Sequence, residues 1–200
     1  MTGSDARSDD LRTEMGALRT EVERLASELA EMRAHATSLE SLAHEDPLTG
    51  LLNRRGFERD LARAVAYRAR YGTPAALLLF DLDGFKPIND AHGHQAGDEA
   101  LKHVAEVLRR NVRASDSIGR LGGDEFALIL WHAAEDVAAL KASSLLALIA
   151  TPVTLGPARV DLGASVGVTA LEKGDTPAEA IARADRAMYA HKSERAALRR

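Results

Sequence analysis

Residues 74–83 read P-A-A-L-L-L-F-D-L-D. From Ala75 to Phe80 every position is apolar, so a strand here has no polar face to turn toward water. This predicts a strand over Pro74–Leu82, buried on both faces inside a helix-covered sheet. Asp81 stands where that strand reaches its edge. A carboxylate there is partly desolvated and wants a cation or a hydrogen-bond donor.

A second stretch arranges the same ingredients in reverse. Residues 120–126 are R-L-G-G-D-E-F, and an apolar run from Phe126 to Trp131 follows at once. Gly122 and Gly123 deliver two adjacent acids, Asp124 and Glu125, to the mouth of a buried strand over 125–131. A hairpin turn accounts for the glycines without any chemistry. If the two strands are neighbours, however, Asp81 and Asp124 meet with Glu125 close by. Clustered acids repel, and one keeps its proton unless a cation neutralises them. Mg²⁺, with Mn²⁺ as a substitute, is a hard ion that takes one or two protein carboxylates and fills its other positions with water and phosphate. The pattern points to metal-assisted phosphoryl or nucleotidyl transfer; a solvated turn beside a strand end is the plain alternative.

Helical patterns surround these strands, at roughly 57–71, 97–112, 134–149 and from Pro177 to about Lys192, with strand material over 158–170. Strands alternating with helices predict an α/β or α+β sandwich around one sheet. Asp46 or Thr49 is a candidate cap for the helix after the Pro47 and Gly50 break. No G-x-x-x-x-G-K-[ST] or G-x-G-x-x-G loop is present. Phosphates must be held another way, and the turn amides and charge of Phe85 and Lys86, directly after the first strand, can do so. The H-G-H step of His92 and His94 lacks companion ligands for zinc and is read as ordering a turn. Trp131 closes a buried strand and is read as core.

Upstream, Leu11, Met15, Leu18, Val22, Leu25, Leu29, Met32, Ala36, Leu39 and Ala43 alternate at spacings of four and three. This is a heptad seam, with Glu14, Glu21 and Glu28 at g and Arg12, Arg19 and Arg33 at e. In a parallel pair Glu14 reaches Arg19 and Glu28 reaches Arg33 of the other helix. The predicted organisation is a disordered 1–8, a parallel dimeric coiled coil over 9–44 and a catalytic domain over 45–200. A single amphipathic helix packed on its own domain is the alternative. The net charge of −4 offers no basic face for nucleic acid. The chain has no cysteine, no signal peptide pattern and no apolar run long enough for a membrane helix, which suits a cytoplasmic protein.

Taken together, the motifs resemble the GGDEF-domain diguanylate cyclases over about residues 45–195. D-P-L-T-G-L-L-N-R-R (46–55) resembles the family's opening signature. F-D-L-D-G-F-K-P-I-N-D-A-H-G-H-Q-A-G-D (80–98) resembles its substrate strand and following loop. R-L-G-G-D-E-F is similar to the name motif, and S-V-G-V (165–168) and A-D-R-A-M-Y (184–189) to the closing strand and helix. The resemblance implies a palm-like domain with a central five-stranded sheet and surrounding helices. It implies an enzyme that condenses two GTP into cyclic di-GMP and releases two pyrophosphates. Asp81, the carbonyl of Leu82, Asp124 and Glu125 would then form the metal site. Asp124 would lie near the attacking 3′-hydroxyl, with Glu125 and Lys86 completing the catalytic set. Asn89 and Asp98 would read guanine, a carboxylate suiting its N1–H and N2–H₂ donors. Phe85, Lys86 and Lys192 would hold phosphates, and Gly122 and Gly123 would give room for the nucleotide.

R-A-S-D (113–116) resembles the family's RxxD inhibitory product site, with Arg113 pairing bidentately and Asp116 taking a guanine edge. From the next helix only Lys141 offers further positive charge. A helix-end arginine and an Asp turn are the plain alternative. The chain departs from the family after Lys192: the usual Gly-Arg-Asn step is absent, and Arg195 comes one residue early. That departure leaves open a catalytically silent cyclic di-GMP receptor or dimerisation module.

Overall fold

The computed structural model describes residues 15–16, 18–33, 43–155 and 158–198. The chain divides into two compact units, Met1–Ala43 and His44–Arg200. In the first, residues 18–33 form helix α1. Its heptad side chains Met15, Leu18, Val22, Leu25, Leu29 and Met32 are 44–63% exposed in the single chain. Arg24 bridges Glu21 and Glu28 within the helix. Residues 1–8 and heptad positions Leu11, Ala36 and Leu39 lie outside the described residues.

The second unit runs α2 (Arg54–Tyr71), β1 (Ala75–Asp83), α3 (Phe85–His92), α4 (His94–Arg110), β2 (Ser117–Gly122), β3 (Glu125–Trp131), α5 (Glu135–Ile149), β4 (Val153–Leu155), β5 (Ala158–Val160), β6 (Gly163–Ala170) and α6 (Pro177–Leu198). The sheet has the order β2-β3-β1-β6, and every pairing in it is antiparallel. The fold is therefore α+β.

β1 is central, and its alternation sorts two cores. Ala76, Leu78, Phe80 and Leu82 pack with Leu101, Val104 and Leu108 of α4 and Leu145 and Ile149 of α5. Ala75, Leu77 and Leu79 face Phe57, Leu61 and Val65 of α2 and Ala180 and Ala184 of α6. Helices cover both faces, which is why the strand carries no polar alternation.

The expected five-stranded sheet is corrected to four strands beside a separate two-stranded pair, β4–β5, among the described residues. The span 158–170 is not one strand. It breaks at Asp161 and Leu162, where the buried Leu162 joins the core, and β5 turns back onto β4 instead of extending the sheet.

Neither expected cap starts α2. Asp46 Oδ1 accepts from the N–H and hydroxyl of Thr49 at 2.9 and 2.7 Å, closing the turn at 46–49. The helix is capped by Asn53, whose Oδ1 accepts from the Gly56 N–H at 2.9 Å. α6 starts with a capping box: Glu179 takes the Thr176 N–H at 2.8 Å while the Thr176 hydroxyl takes the Glu179 N–H at 3.3 Å. Between β1 and α4 lies α3, a helix read from sequence as a loop, set off by Gly84 and Gly93 at positive φ.

Candidate active site

Because β1 and β3 are antiparallel neighbours, the last residues of one oppose the first of the other. Asp81 lies across from Glu125, and the Leu82 N–H donates to the Asp124 carbonyl at 3.2 Å. The two strands are neighbours, the condition on which the sequence pattern would bring the acids together, and their acid-bearing ends meet. Gly122 and Gly123, at φ 148° and 52°, turn the hairpin between β2 and β3. Both are exposed, and a side chain in that backbone conformation would be strained.

A cation already sits among the acids. Lys192, from α6, places Nζ 2.5 Å from Asp81 Oδ1. Its pKa is raised above the ordinary lysine value, chiefly by the hydrogen bond to Asp81 and, against partial burial, by the charges of Asp81, Asp83 and Asp124. Asp83 shares the Asp81 face of β1. It accepts from the Ser165 hydroxyl at 2.9 Å and lies 3.3 Å from Arg195, which also donates to the Ala164 carbonyl. Arg195 is therefore tied to the strand floor. Glu125 is met by Arg54 at 3.3 Å, and the same guanidinium donates to the Leu121 carbonyl at 3.1 Å.

Among the described residues no group of three or more His, Asp and Glu forms a ready-made metal cage. The oxygen-only donor set of Asp81, Asp124 and the Leu82 backbone still fits Mg²⁺, which needs one or two carboxylates. The position of Lys192 is evidence that this end favours positive charge.

α3 and α4 continue from the same end of β1 and bring the remaining expected residues. Phe85 and Lys86 open α3; Phe85 is half-buried and Lys86 exposed. Asn89 lies one turn on, against Gly97, and Asp98 follows on α4, exposed. His92 and His94 flank the Gly93 junction and are exposed.

Arg113 and Asp116 lie elsewhere, at the far end of β3. Glu125 and Trp131 are its ends, about 20 Å apart at the usual rise per residue. Asp116 Oδ2 accepts the Arg113 N–H at 3.0 Å, and Oδ1 accepts the Trp131 N–H at 3.1 Å. Two clefts meet at Asp116 and Trp131. One, of about 390 Å³, also takes in Asp60, Arg63 and Ser115; the other, of about 430 Å³, takes in Arg113, Val137 and Lys141. Lys141 donates to the Asn111 carbonyl at 2.9 Å. Trp131, read as core, is half-buried and packs edge-on against Tyr67 with centroids 5.6 Å apart.

Several contributors escaped the sequence reading. Asp83 had a signal, since it shares alternation with Asp81. Arg54 and the Asp46–Arg120 pair had none, because their partners come from distant parts of the chain. Arg120 Nη1 lies 3.1 Å from Asp46 Oδ2, and its Nε donates to the Gly123 carbonyl at 2.9 Å.

The antiparallel sheet between helix layers, with a glycine hairpin carrying acids to the end of its central strand, defines an α+β domain with its candidate site at one sheet end. The family model described as diguanylate cyclase, GGDEF domain, matches residues 43–197. The chain belongs to the GGDEF diguanylate cyclase family. It is 41% identical over 183 residues to the bifunctional diguanylate cyclase/cyclic di-GMP phosphodiesterase MucR of Pseudomonas aeruginosa, covering 90% of this chain and 27% of that protein. It is 37% identical to the diguanylate cyclase TpbB of P. aeruginosa, covering 98% of this chain and 45% of that one. The chain thus spans less than half the length of these curated relatives. Among solved structures, the coiled coil and GGDEF domain of DgcB from Caulobacter crescentus, in complex with c-di-GMP, superposes with a TM-score of 0.82 at 30% identity. That match covers 88% of this chain and 95% of that one. No helix among the described residues is long and apolar enough to cross a membrane.

Proposed function

We propose that this chain is a diguanylate cyclase, joining two GTP into cyclic di-GMP with release of two pyrophosphates. The observation that carries the reading is the meeting of Asp81, Asp124 and Glu125 at one strand end, with the Lys192 ammonium held against Asp81. With nucleotide bound, Asp81, Asp124 and the Leu82 carbonyl would hold Mg²⁺, which supplies charge neutralisation at the triphosphate. Lys192 would exchange Asp81 for phosphate oxygens, and Lys86 would meet the same phosphates from α3. Asn89 and Asp98 would hold the guanine edge. Asp124 would take the proton of the 3′-hydroxyl as its oxygen attacks the α-phosphorus of the other GTP and pyrophosphate leaves.

Each domain holds one GTP, so two domains must face one another. The exposed heptad stripe of α1 supports a parallel homodimer through the N-terminal helix. Such a tether makes the encounter effectively intramolecular, at local concentrations that reach millimolar. Product is proposed to bind at Arg113 and Asp116, in the cleft they line together, and to restrain the enzyme there. The complex of DgcB with c-di-GMP supports binding of product by likeness.

A second reading keeps the product site and drops the chemistry. It is favoured by Arg195, which is engaged by Asp83 and Ala164 rather than held free for phosphate. Incubation with GTP and Mg²⁺ followed by nucleotide chromatography separates the two, with Asp124→Ala as control. Cyclic di-GMP from the unaltered chain alone establishes the cyclase. No product, together with cyclic di-GMP binding that Arg113→Ala abolishes, establishes the receptor.

A further inference from the structure

We infer that Gly97 is a specificity-positioning residue: it makes the slot that holds Asn89 for the guanine base. The inference rests on the cyclase reading of this end of the sheet, and it adds a residue that contacts no substrate itself.

Gly97 lies in the second turn of α4, a helix that runs unbroken from His94 to Arg110. Its backbone φ is not positive, so no left-handed turn calls for glycine there. Glycine is a poorer helix former than alanine, and the same helix uses alanine at 96 and 100. The close approach of α3 supplies the reason. A Cβ on Gly97 would stand 1.9 Å from Asn89 Oδ1, 2.9 Å from Asn89 Cγ and 3.2 Å from Phe85 Cζ. Asn89 thus occupies the volume of the missing side chain, with the Phe85 ring as the other wall.

The Asn89 backbone carbonyl accepts the Gly93 N–H at 2.8 Å, but its side-chain Oδ1 is buried and has no hydrogen-bond partner among the described residues. A buried polar atom without a partner calls for an explanation, and a ligand-reading amide with no internal bond to break is a fitting one. The next residue after Gly97 is Asp98, so one short segment fixes the positions of both proposed base readers.

The atom a new Cβ would strike first is the end of a side chain, not backbone. Gly97→Ala should therefore displace Asn89 while α4, if anything, gains helix propensity. The test compares binding of the α,β-methylene analogue of GTP, which cannot release pyrophosphate, with its inosine counterpart, which lacks the 2-amino group. The thermal midpoint of each variant is followed alongside. The expected result is a guanine preference in the unaltered chain that falls about tenfold in Gly97→Ala, as loss of one ordinary hydrogen bond gives. Asn89→Ala should show the same loss, and the double variant no further loss.

A guanine preference unchanged in Gly97→Ala overturns the inference while leaving the cyclase reading intact. Equal weakening toward both analogues with early melting marks Gly97 as a packing residue only, and also overturns it. Failure of the unaltered chain to bind the GTP analogue overturns the cyclase reading and this inference with it.

Discussion

Lys192 and Asp81 form the contact that most directly links charge to function. The ammonium partly neutralises three carboxylates, and any incoming Mg²⁺ must compete with it for Asp81. Lys192→Ala should therefore have opposite effects on the two ligands. Without nucleotide, Mg²⁺ should bind about fivefold more tightly, the scale of a partly exposed ion pair. GTP should bind more weakly, because the triphosphate loses a cation. Calorimetric titration of each ligand alone reads both, and weaker Mg²⁺ binding in the variant would refute the competition. The position of Lys192 was legible as a motif residue, and Asp81 as a strand-end acid. Their partnership was not, because it depends on how α6 returns across β1.

The turn at 46–49 and the β2–β3 hairpin are joined by one charged pair. Asp46 and Arg120 are 17% and 14% exposed at their side chains, so little water screens them. Burial works to raise the Asp46 pKa. Hydrogen bonds from Thr49 and then Arg120 outweigh it and hold the carboxyl below its usual range. A carboxyl so depressed contributes stability in full above its unfolded value near 4 and loses it as pH falls through the lower folded value. Asp46→Asn should cost about 1.5–3 kcal/mol at neutral pH, as for a hydrogen bond to a charged group. The gap to the unaltered chain should narrow steadily below about pH 4. Denaturant melts at several pH values check this; a gap independent of pH would assign Asp46 no part in acid stability. At this scale the long strands β1 and β3 were readable because burial on two faces leaves an unmistakable apolar run. β2, S-I-G-R-L-G, was not: two glycines hide its alternation. α3 was missed because Pro87 and its flanking glycines read as loop, yet proline is tolerated in a first helical turn.

For the molecule as a whole, the proposed chemistry between two substrates makes the rate a question of encounter. If the N-terminal helix pairs chains in parallel, removal of residues 1–42 should lower specific activity at micromolar protein. Activity per chain should then rise with protein concentration, while the full chain shows a flat dependence. The same flat dependence after truncation would assign dimerisation to the domain itself. The heptad seam was plain in sequence because it needs only spacing and composition; in the proposed dimer its partner belongs to another chain, which would cover the side chains left exposed in the single one.

The length of β3 has a spectroscopic consequence. The chain carries a single tryptophan, and Trp131 stands at the cleft end of that strand, its backbone amide bonded to Asp116. Its indole emission should shift or quench when cyclic di-GMP enters either cleft. Mg²⁺ at the opposite end of the strand, about 20 Å away, should leave the emission unchanged. The protein thereby carries an intrinsic fluorophore that reports on one of its two proposed sites and is silent toward the other.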